Sequence, residues 1–561
     1  MRSDRLALAL VGAVALGVRL WAANLVTFPI PEDTAYYVHV ARQLLDGRGL
    51  TSEAIWSYQT PPLAFPRPAF EVWLPLPTFL AALGMVLGGG SLAAAAAPTA
   101  ILGAATALVV WDLARLADAE AGLDQRRQRV LAAGAGLVAA VELPLVLHGA
   151  LPDSTIPYGL AAVTLADLAG RILLDGNAWT RRLVGVGFTI GLAAWSRNEA
   201  LYLGLVWAVV AAILVRRTAG LGRWAVLTWA RLVAIPAMVA GAVVSPWIVR
   251  QWLVFGTFLP GQAAANALSV TGFDIFAYAN PPSLARYLAQ GPGWLFSVRL
   301  DALTHDLVNV LLIPGAPLSL IGLLGLPRIA RLRSLAPLLA VAGVTYLATS
   351  LLFPVATTWG TFLHAAVPAH VALDLAAIFL LDQLVTAVGR WRRWTRPMSW
   401  VAPAAAVTSA LLITATAIPA FAGQAAATAA RYRSIGQALA AAGRPVADLG
   451  PVVTNFPIWW ATAFGTPALA LPNESPASVL ALARRFPHTD TVVVIGVHGH
   501  WPAILASDPV GRCFRPLELP EVSAPSSVGA IAVQGEGSDG ATGLGPADPT
   551  ATVRIYQLSC P

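Results

Sequence analysis

Lysine is absent from the chain: among 561 residues, all 36 basic positions are arginine. Schiff-base chemistry on a lysine amine is therefore excluded. Any cationic clamp on a phosphate must be built from arginine or histidine. Charge of either sign is scarce, at 12% of residues against about 25% in an average soluble domain. No basic stripe interleaved with aromatics is present, so the formal charge of +7 does not point to nucleic acid. Cysteine occurs only twice, as Cys513 and Cys560, both near the C-terminus.

What fills the chain instead is apolar: 57% of residues are hydrophobic. Repeated runs of membrane-spanning length mark a polytopic α-helical membrane protein. The N-terminus carries Arg2 and Arg5, then an apolar run from Leu6 to Val26 that contains Arg19. That run is too long for a signal peptide and lacks a small-residue cleavage site, so it reads as an uncleaved first span with its N-terminus inside. Further spans are predicted near 92–114, 130–150, 156–174, 183–196, 199–215, 226–249, 302–326, 335–353, 362–384 and 399–422, about eleven in all. The shorter stretch Trp73 to Leu87, opened by prolines and closed by Gly88, Gly89 and Gly90, reads as a juxtamembrane or re-entrant helix. With it counted so, the cytoplasmic loops hold nineteen arginines and the outer loops before the tail hold seven. This asymmetry is what orientation by positive charge predicts.

After Ala422 the character changes. Strand-like runs at Pro451–Thr454, Thr491–Val497 and Thr552–Leu558, with a helix-like Pro476–Phe486 between the first two, predict a small α/β domain on the outer face. The expected division is 1–422 for the membrane part with its outer loops and 423–561 for the extracytoplasmic part. The glycine- and serine-rich run from Ser523 to Gly545 reads as a loop within it. Both cysteines fall in this oxidising compartment, which suggests a disulfide that ties down the last strand.

Charged residues beside a membrane are costly and usually face a cavity, a partner or a headgroup. The outer loops place Glu32 and Asp33 at the start of PEDTAYYVHVARQLLDGRG (31–49), Glu71 in RPAFEVWLPLP, Asp153 in LPDSTIPY, Arg197 in AWSRNEALYL and Arg250 in PWIVRQWLVFGTFLP. The segment after Asp33 has Ala35, Val38, Leu44 and Leu45 on one face, as expected of a helix lying on the bilayer surface. The plain reading is that Glu32 and Asp33 cap that helix. Arg19, inside the first span, reads equally as a structural residue paired with an acid on a neighbouring helix and as a functional one. His498 and His500, in GVHGHW, read as a loop because no third metal ligand is evident.

The 31–49 stretch resembles the first outer loop of GT-C membrane glycosyltransferases, the superfamily of protein O-mannosyltransferases and lipid A aminoarabinose transferases. Their pattern there is D-E-A-x-Y-x-x-x-A followed by L-L-x-G-x-G. Aligning Tyr37, Ala41 and the Leu44–Gly49 run puts Asp33 on the catalytic aspartate, while Thr34 replaces the second acid and Glu32 supplies one on the other side. The Arg67–Pro77 stretch resembles the juxtamembrane helix after that loop, and Asp153 matches an acid of the second outer loop. Ala194–Leu203 resembles an R-x-E-A turn. Pro246–Pro260 resembles P-W-x-x-R-N-x-x-x-F-G-x-x-x-P, with Gln251 replacing asparagine. His364, in TWGTFLHAAVP, sits where members carry a donor-contacting Arg or Tyr. VVTNFPIWWATAFGTPALALP opens the tail like the soluble domain of several such enzymes.

The resemblance implies an inverting transfer of a sugar from a polyprenyl-phosphate donor to an acceptor hydroxyl on a glycan, lipid or protein, at the outer face of the plasma (inner) membrane. Asp33 would be the general base. Arg67, Arg197, Arg250 and His364 would bind the donor and stabilise the leaving lipid phosphate. A metal-independent reaction is expected, the alternative being a divalent cation shared by Glu71 and Asp153. The competing class is a multi-pass lipid or solute transporter or flippase, which would more often show internal repeats and broken helices at mid-membrane.

Overall fold

The computed structural model describes residues 2–176, 180–218, 222–258, 262–395, 398–517 and 552–560. The Ser523–Gly545 run lies outside the described residues. Among those described, seven helices are long and apolar enough to cross a membrane: Asp4–Leu25, Leu92–Glu120, Thr155–Asp175, Ala200–Arg217, Arg223–Phe255, Val367–Trp391 and Val401–Ala441. An eighth is the pair Gln125–Val141 and Leu143–Gly149, bent by 53°. Three of the expected spans take other forms. Thr180–Ala194 has 15 residues and Ala336–Leu352 has 17, short of the ~20 that an untilted crossing needs. The 302–326 stretch is interrupted, because Pro314, Gly315 and Pro317 separate the wide helical turn Asp306–Leu312 from the helix Leu318–Ile329. Leu76–Gly88, at 13 residues, is about 20 Å long, short of an untilted crossing.

The bend at Glu142 explains Arg19. A helix that stops in mid-bundle leaves its last carbonyls without amide partners. Arg19, fully buried, donates to the carbonyl oxygens of Ala139 and Ala140, and to Ala15 in its own helix, each at 3.0 Å. The expected acidic partner is thus replaced by backbone oxygens. Gly103 and Gly149 make room for it, since a Cβ at either would lie 2.3 and 2.6 Å from Arg19 Nε.

The helix Glu32–Leu45 begins after Pro31 and carries both acids in its first turn and Arg42 in its last, each where the helix dipole favours it. It does not lie on the bilayer surface. Glu32 to Ala41 are all buried, because the helix packs between Leu76–Gly88 and the tail helix Pro457–Phe464. Its polar face meets protein on every side, which the apolar periodicity alone does not reveal.

The last spanning helix has 41 residues, Val401–Ala441, and runs without a break through position 422. At about 1.5 Å per residue it projects far beyond a bilayer and meets the tail. The tail forms a six-stranded sheet in the order Ala54–Ile55, Ala468–Ala470, Val452–Thr454, Thr491–Ile495, Val553–Leu558, Phe514–Pro516. The first four strands are parallel, and Val553–Leu558 runs antiparallel to both of its neighbours. The edge strand Ala54–Ile55 comes from the segment between Glu32–Leu45 and Leu76–Gly88, so that segment is stitched into the tail. A disulfide joins Cys513 to Cys560, with Cα atoms 5.2 Å apart.

Candidate active site

Four chain segments that are distant in sequence meet at one polar cluster. Asp33 stands in the first turn of Glu32–Leu45. Its Oδ1 accepts a hydrogen bond of 2.7 Å from the Trp73 indole N–H, and its Oδ2 lies 3.3 Å from His364 Nε2. His364 sits in a short 3-10 turn, Leu363–Ala365. Its Nδ1 lies 2.9 Å from Thr155 Oγ1 and 3.3 Å from Asp153 Oδ1. Asp153, fully buried in the turn before Thr155–Asp175, also accepts from the Thr155 amide (3.0 Å) and pairs with His148 Nδ1 at 2.5 Å. The result is a chain of alternating acid and imidazole: Asp33, His364, Asp153, His148.

Burial by itself would raise the Asp153 carboxyl, but the flanking His364 and His148 hold it well below the ordinary carboxylate range. Beside it Arg197 is almost wholly enclosed. It grips Glu199 at 2.8 and 3.1 Å and donates to Ser154 Oγ (3.1 Å) and to the Thr361 carbonyl (3.2 Å). Against its burial cost, Glu199 and the nearby Tyr37 and Asp33 raise the Arg197 guanidinium above its ordinary value. It stays a fixed cation. Tyr37 is held protonated by burial, reinforced by Asp33 and Asp153.

Asp33, Glu32, Tyr37, Glu71, His148, Arg197 and His364 line one cavity of about 1520 Å³. On one side its wall is apolar, drawn from Thr180–Ala194, Ala200–Thr218 and Arg223–Phe255; on the other it reaches the tail sheet. A slot of this kind can hold a lipid chain beside a polar head.

The remaining sequence candidates are placed differently. Arg67 is fully buried, with its guanidinium spent on the Ser57 carbonyl (2.5 Å), the Thr60 carbonyl (2.9 Å) and Glu71 (3.3 Å). It does not line the cavity. Arg250 donates to Gln251 Oε1 at 2.6 Å and lies over the Trp247, Phe255 and Phe70 rings; it too stands outside the lining. Gln251, which replaces the expected asparagine, bonds the Phe70 carbonyl at 2.7 Å and thereby anchors the Arg67–Pro77 loop. Glu32 accepts from the Trp56 indole at 3.3 Å. Glu71 pairs with Arg67 through Oε1 at 3.3 Å. Among the described residues, His148, Asp153 and His364 are the group whose ligand atoms converge, within 4.8 Å of one another.

Sequence reasoning missed His148, Trp73 and Glu199. His148 had a usable signal: it is the imidazole closing an apolar run five residues before Asp153. His498 is buried, with Nε2 2.9 Å from the Leu471 carbonyl, consistent with a structural loop residue.

Comparison with solved structures decides the architecture. ArnT from Cupriavidus metallidurans in the apo state aligns over 91% of this chain and 95% of its own, with a TM-score of 0.51 at 12% identity. The chain has the GT-C fold. ArnT from the same organism bound to undecaprenyl phosphate aligns over 98% of this chain and 97% of its own, with a TM-score of 0.50 and 12% identity. The archaeal oligosaccharyltransferase AglB from Archaeoglobus fulgidus, in complex with an inhibitory peptide and a dolichol-phosphate, covers 91% of this chain and 72% of its own at a TM-score of 0.47 and 13% identity. No protein-family profile matches the chain, and neither does any curated sequence. In this GT-C fold the acid–imidazole chain stands at the polar end of the cavity, where the membrane helices meet the tail.

Proposed function

We propose that the chain transfers a sugar from a polyprenyl-phosphate donor to an acceptor hydroxyl at the outer face of the plasma membrane. The observation that carries this reading is the buried carboxylate of Asp33, oriented by Trp73 and His364 where the apolar slot meets the polar part of the cavity. The ArnT structure aligned over nearly the whole chain is bound to undecaprenyl phosphate; a donor of that class fits the slot, lipid chain among the helices and phosphate at Arg197.

In the proposed reaction the acceptor oxygen attacks the anomeric carbon and gives its proton to Asp33, while the carbon–oxygen bond to phosphate breaks. The electron pair stays on the lipid phosphate, and attack from the face opposite the leaving group inverts the anomeric centre. Arg197, already fixed by Glu199, is the cation facing the developing negative charge, so little reorganisation is needed as that charge grows. Asp153 holds His364 in place, and His364 fixes the orientation of Asp33. Two imidazoles and a carboxylate are also a donor set that suits a divalent transition metal. An ion held by His148, Asp153 and His364 would add positive charge near the leaving phosphate.

The proposed topology keeps the N-terminus cytoplasmic, with 1–422 as the membrane catalytic part and 423–561 as the outer part. The test is release of lipid phosphate from radiolabelled polyprenyl-phosphate sugars in membranes holding the full chain. Acceptor-dependent release above membranes without the protein is the expected result. No release from any donor of a panel covering hexoses, pentoses and amino sugars would refute the reading.

A further inference from the structure

The tail sheet has a crevice whose position follows from its topology. Strand Val452–Thr454 connects through helix Pro457–Phe464 to Ala468–Ala470 on one side. From there helix Pro476–Arg485 leads back across to Thr491–Ile495 on the other side. The connections therefore diverge between Val452–Thr454 and Thr491–Ile495, which are neighbours. In open parallel sheets, ligands bind outside the carboxyl ends of the strands at such a switch point. Here Asn455 bridges it, with Nδ2 2.9 Å from the Ile495 carbonyl and Oδ1 accepting from the Ile495 amide at 3.0 Å.

That edge opens into the same cavity as Asp33: Asn455, Gly496, His498, Thr552 and Arg554 all line it. The carboxyl end of the edge strand Ala54–Ile55 contributes Trp56 to the same wall. Between the crevice and Asp33 runs an unbroken row of rings. His498 lies 5.4 Å from Phe276, Phe276 5.3 Å from Trp56, and Trp56 4.8 Å from Trp73, which holds Asp33. Trp359 backs the row, 5.8 Å from Phe276. At the far end Arg554 is exposed, and no described carboxylate forms an ion pair with it.

Each of these features selects for chemistry. Along that row Phe276, Trp73 and His498 are buried against their neighbours, while Trp56 and Trp359 stay half-buried in the cavity wall. The indole faces these two leave open suit a molecule with flat C–H faces and polar edges, which describes linked pyranoses better than a peptide. An exposed guanidinium, always charged, suits an acid group. We propose that the acceptor is an anionic glycan, lying along the aromatic row with its acid group at Arg554 and its reacting hydroxyl at Asp33. This rests on the glycosyl-transfer reading and narrows its acceptor.

The test uses the full chain in nanodiscs, titrated with tetragalacturonate, with neutral cellotetraose and with an octaglutamate peptide. Undecaprenyl phosphate is titrated in parallel. Tetragalacturonate is expected to bind about tenfold tighter than cellotetraose, the worth of one charge-assisted contact. Arg554→Gln should erase that difference, and Trp359→Ala should weaken both sugars while undecaprenyl phosphate still binds, which reports the fold of each variant. Equal binding of the two sugars, tighter binding of the peptide, or no sugar binding at millimolar concentration would each overturn the proposal. If undecaprenyl phosphate binds while the sugars do not, the acceptor inference alone falls. If undecaprenyl phosphate fails to bind the unaltered chain, the glycosyl-transfer reading falls as well.

Discussion

Asp33→Asn separates chemistry from structure more cleanly than any other change in the cavity. Asparagine keeps the volume and still offers an oxygen to the Trp73 N–H, now at 2.7 Å from Oδ1. What it loses is the basic oxygen and the charge facing His364 Nε2 at 3.3 Å. A positioned general base contributes about 10²- to 10⁴-fold in rate, or roughly 3–5 kcal/mol of barrier. Because one of the two side-chain contacts survives, the melting temperature should move little. The assay is single-turnover transfer from a radiolabelled polyprenyl-phosphate sugar, with undecaprenyl phosphate binding measured on the same preparation. The expected result is a fall of two to four decades in the transfer rate with lipid-phosphate affinity nearly unchanged. Trp73→Phe is the companion variant. It leaves the carboxylate but removes its donor, at a cost of about 1–3 kcal/mol, and should shift the pH profile rather than abolish transfer. If Asp33→Asn transfers at more than about a tenth of the normal rate, a range general-base loss does not allow, then Asp33 is not the base.

Arg197→Ala should be destabilising as well as inactive, since it strands Glu199 in a buried site; breaking such a pair costs about 3–5 kcal/mol. Removing both partners should restore much of the melting temperature but none of the transfer, and recovery of activity in the double variant would refute the cationic role. Burial lowers the His498 imidazole to about 4, below its unfolded value of about 6.5. As pH falls the unfolded chain takes up that proton first, so stability is full above about pH 6.5 and declines toward pH 4, by about 3 kcal/mol for this one group. His498→Gln should flatten that part of a melting-temperature profile; an unchanged slope would remove His498 as its cause. The Cys513–Cys560 bridge closes a span of 47 residues, so its loss should cost the tail about 4 kcal/mol in the chain-entropy account, read as reductant-sensitive proteolysis of the sheet. A single cysteine placed beside Arg127 should react with membrane-impermeant maleimide only after the membrane is opened; labelling of intact cells would invert the proposed topology.

Much of this protein was legible without coordinates because a bilayer is an unforgiving solvent. Apolar runs must be helical there, so run length and arginine placement carry real information about spans and sides. Asp33 and Asp153 were legible for the same reason, as acids in short loops between such runs. The short and interrupted segments were less so: whether 183–196 or 302–326 crosses depends on where prolines and neighbours end a helix, not on its mean apolarity. The arginines show the limit plainly. Arg67, Arg197 and Arg250 look alike in sequence, yet Arg67 is used up by two carbonyls and Glu71, Arg250 lies against rings, and only Arg197 faces the cavity. A two-residue strand such as Ala54–Ile55 has no period to read; it exists because Ala468–Ala470 offers it an edge.

By itself, then, the sequence determined that this is a helical membrane protein with acids gathered between its spans, because hydropathy and charge act locally. Only the tertiary structure decided which of those acids and bases work together. His364 reaches Asp153 from 211 positions along the chain and Asp33 from farther still. Contacts at such separations are set by helix packing, by one bend at Glu142 and by a loop borrowed into the tail sheet. None of these leaves a periodic mark on the chain.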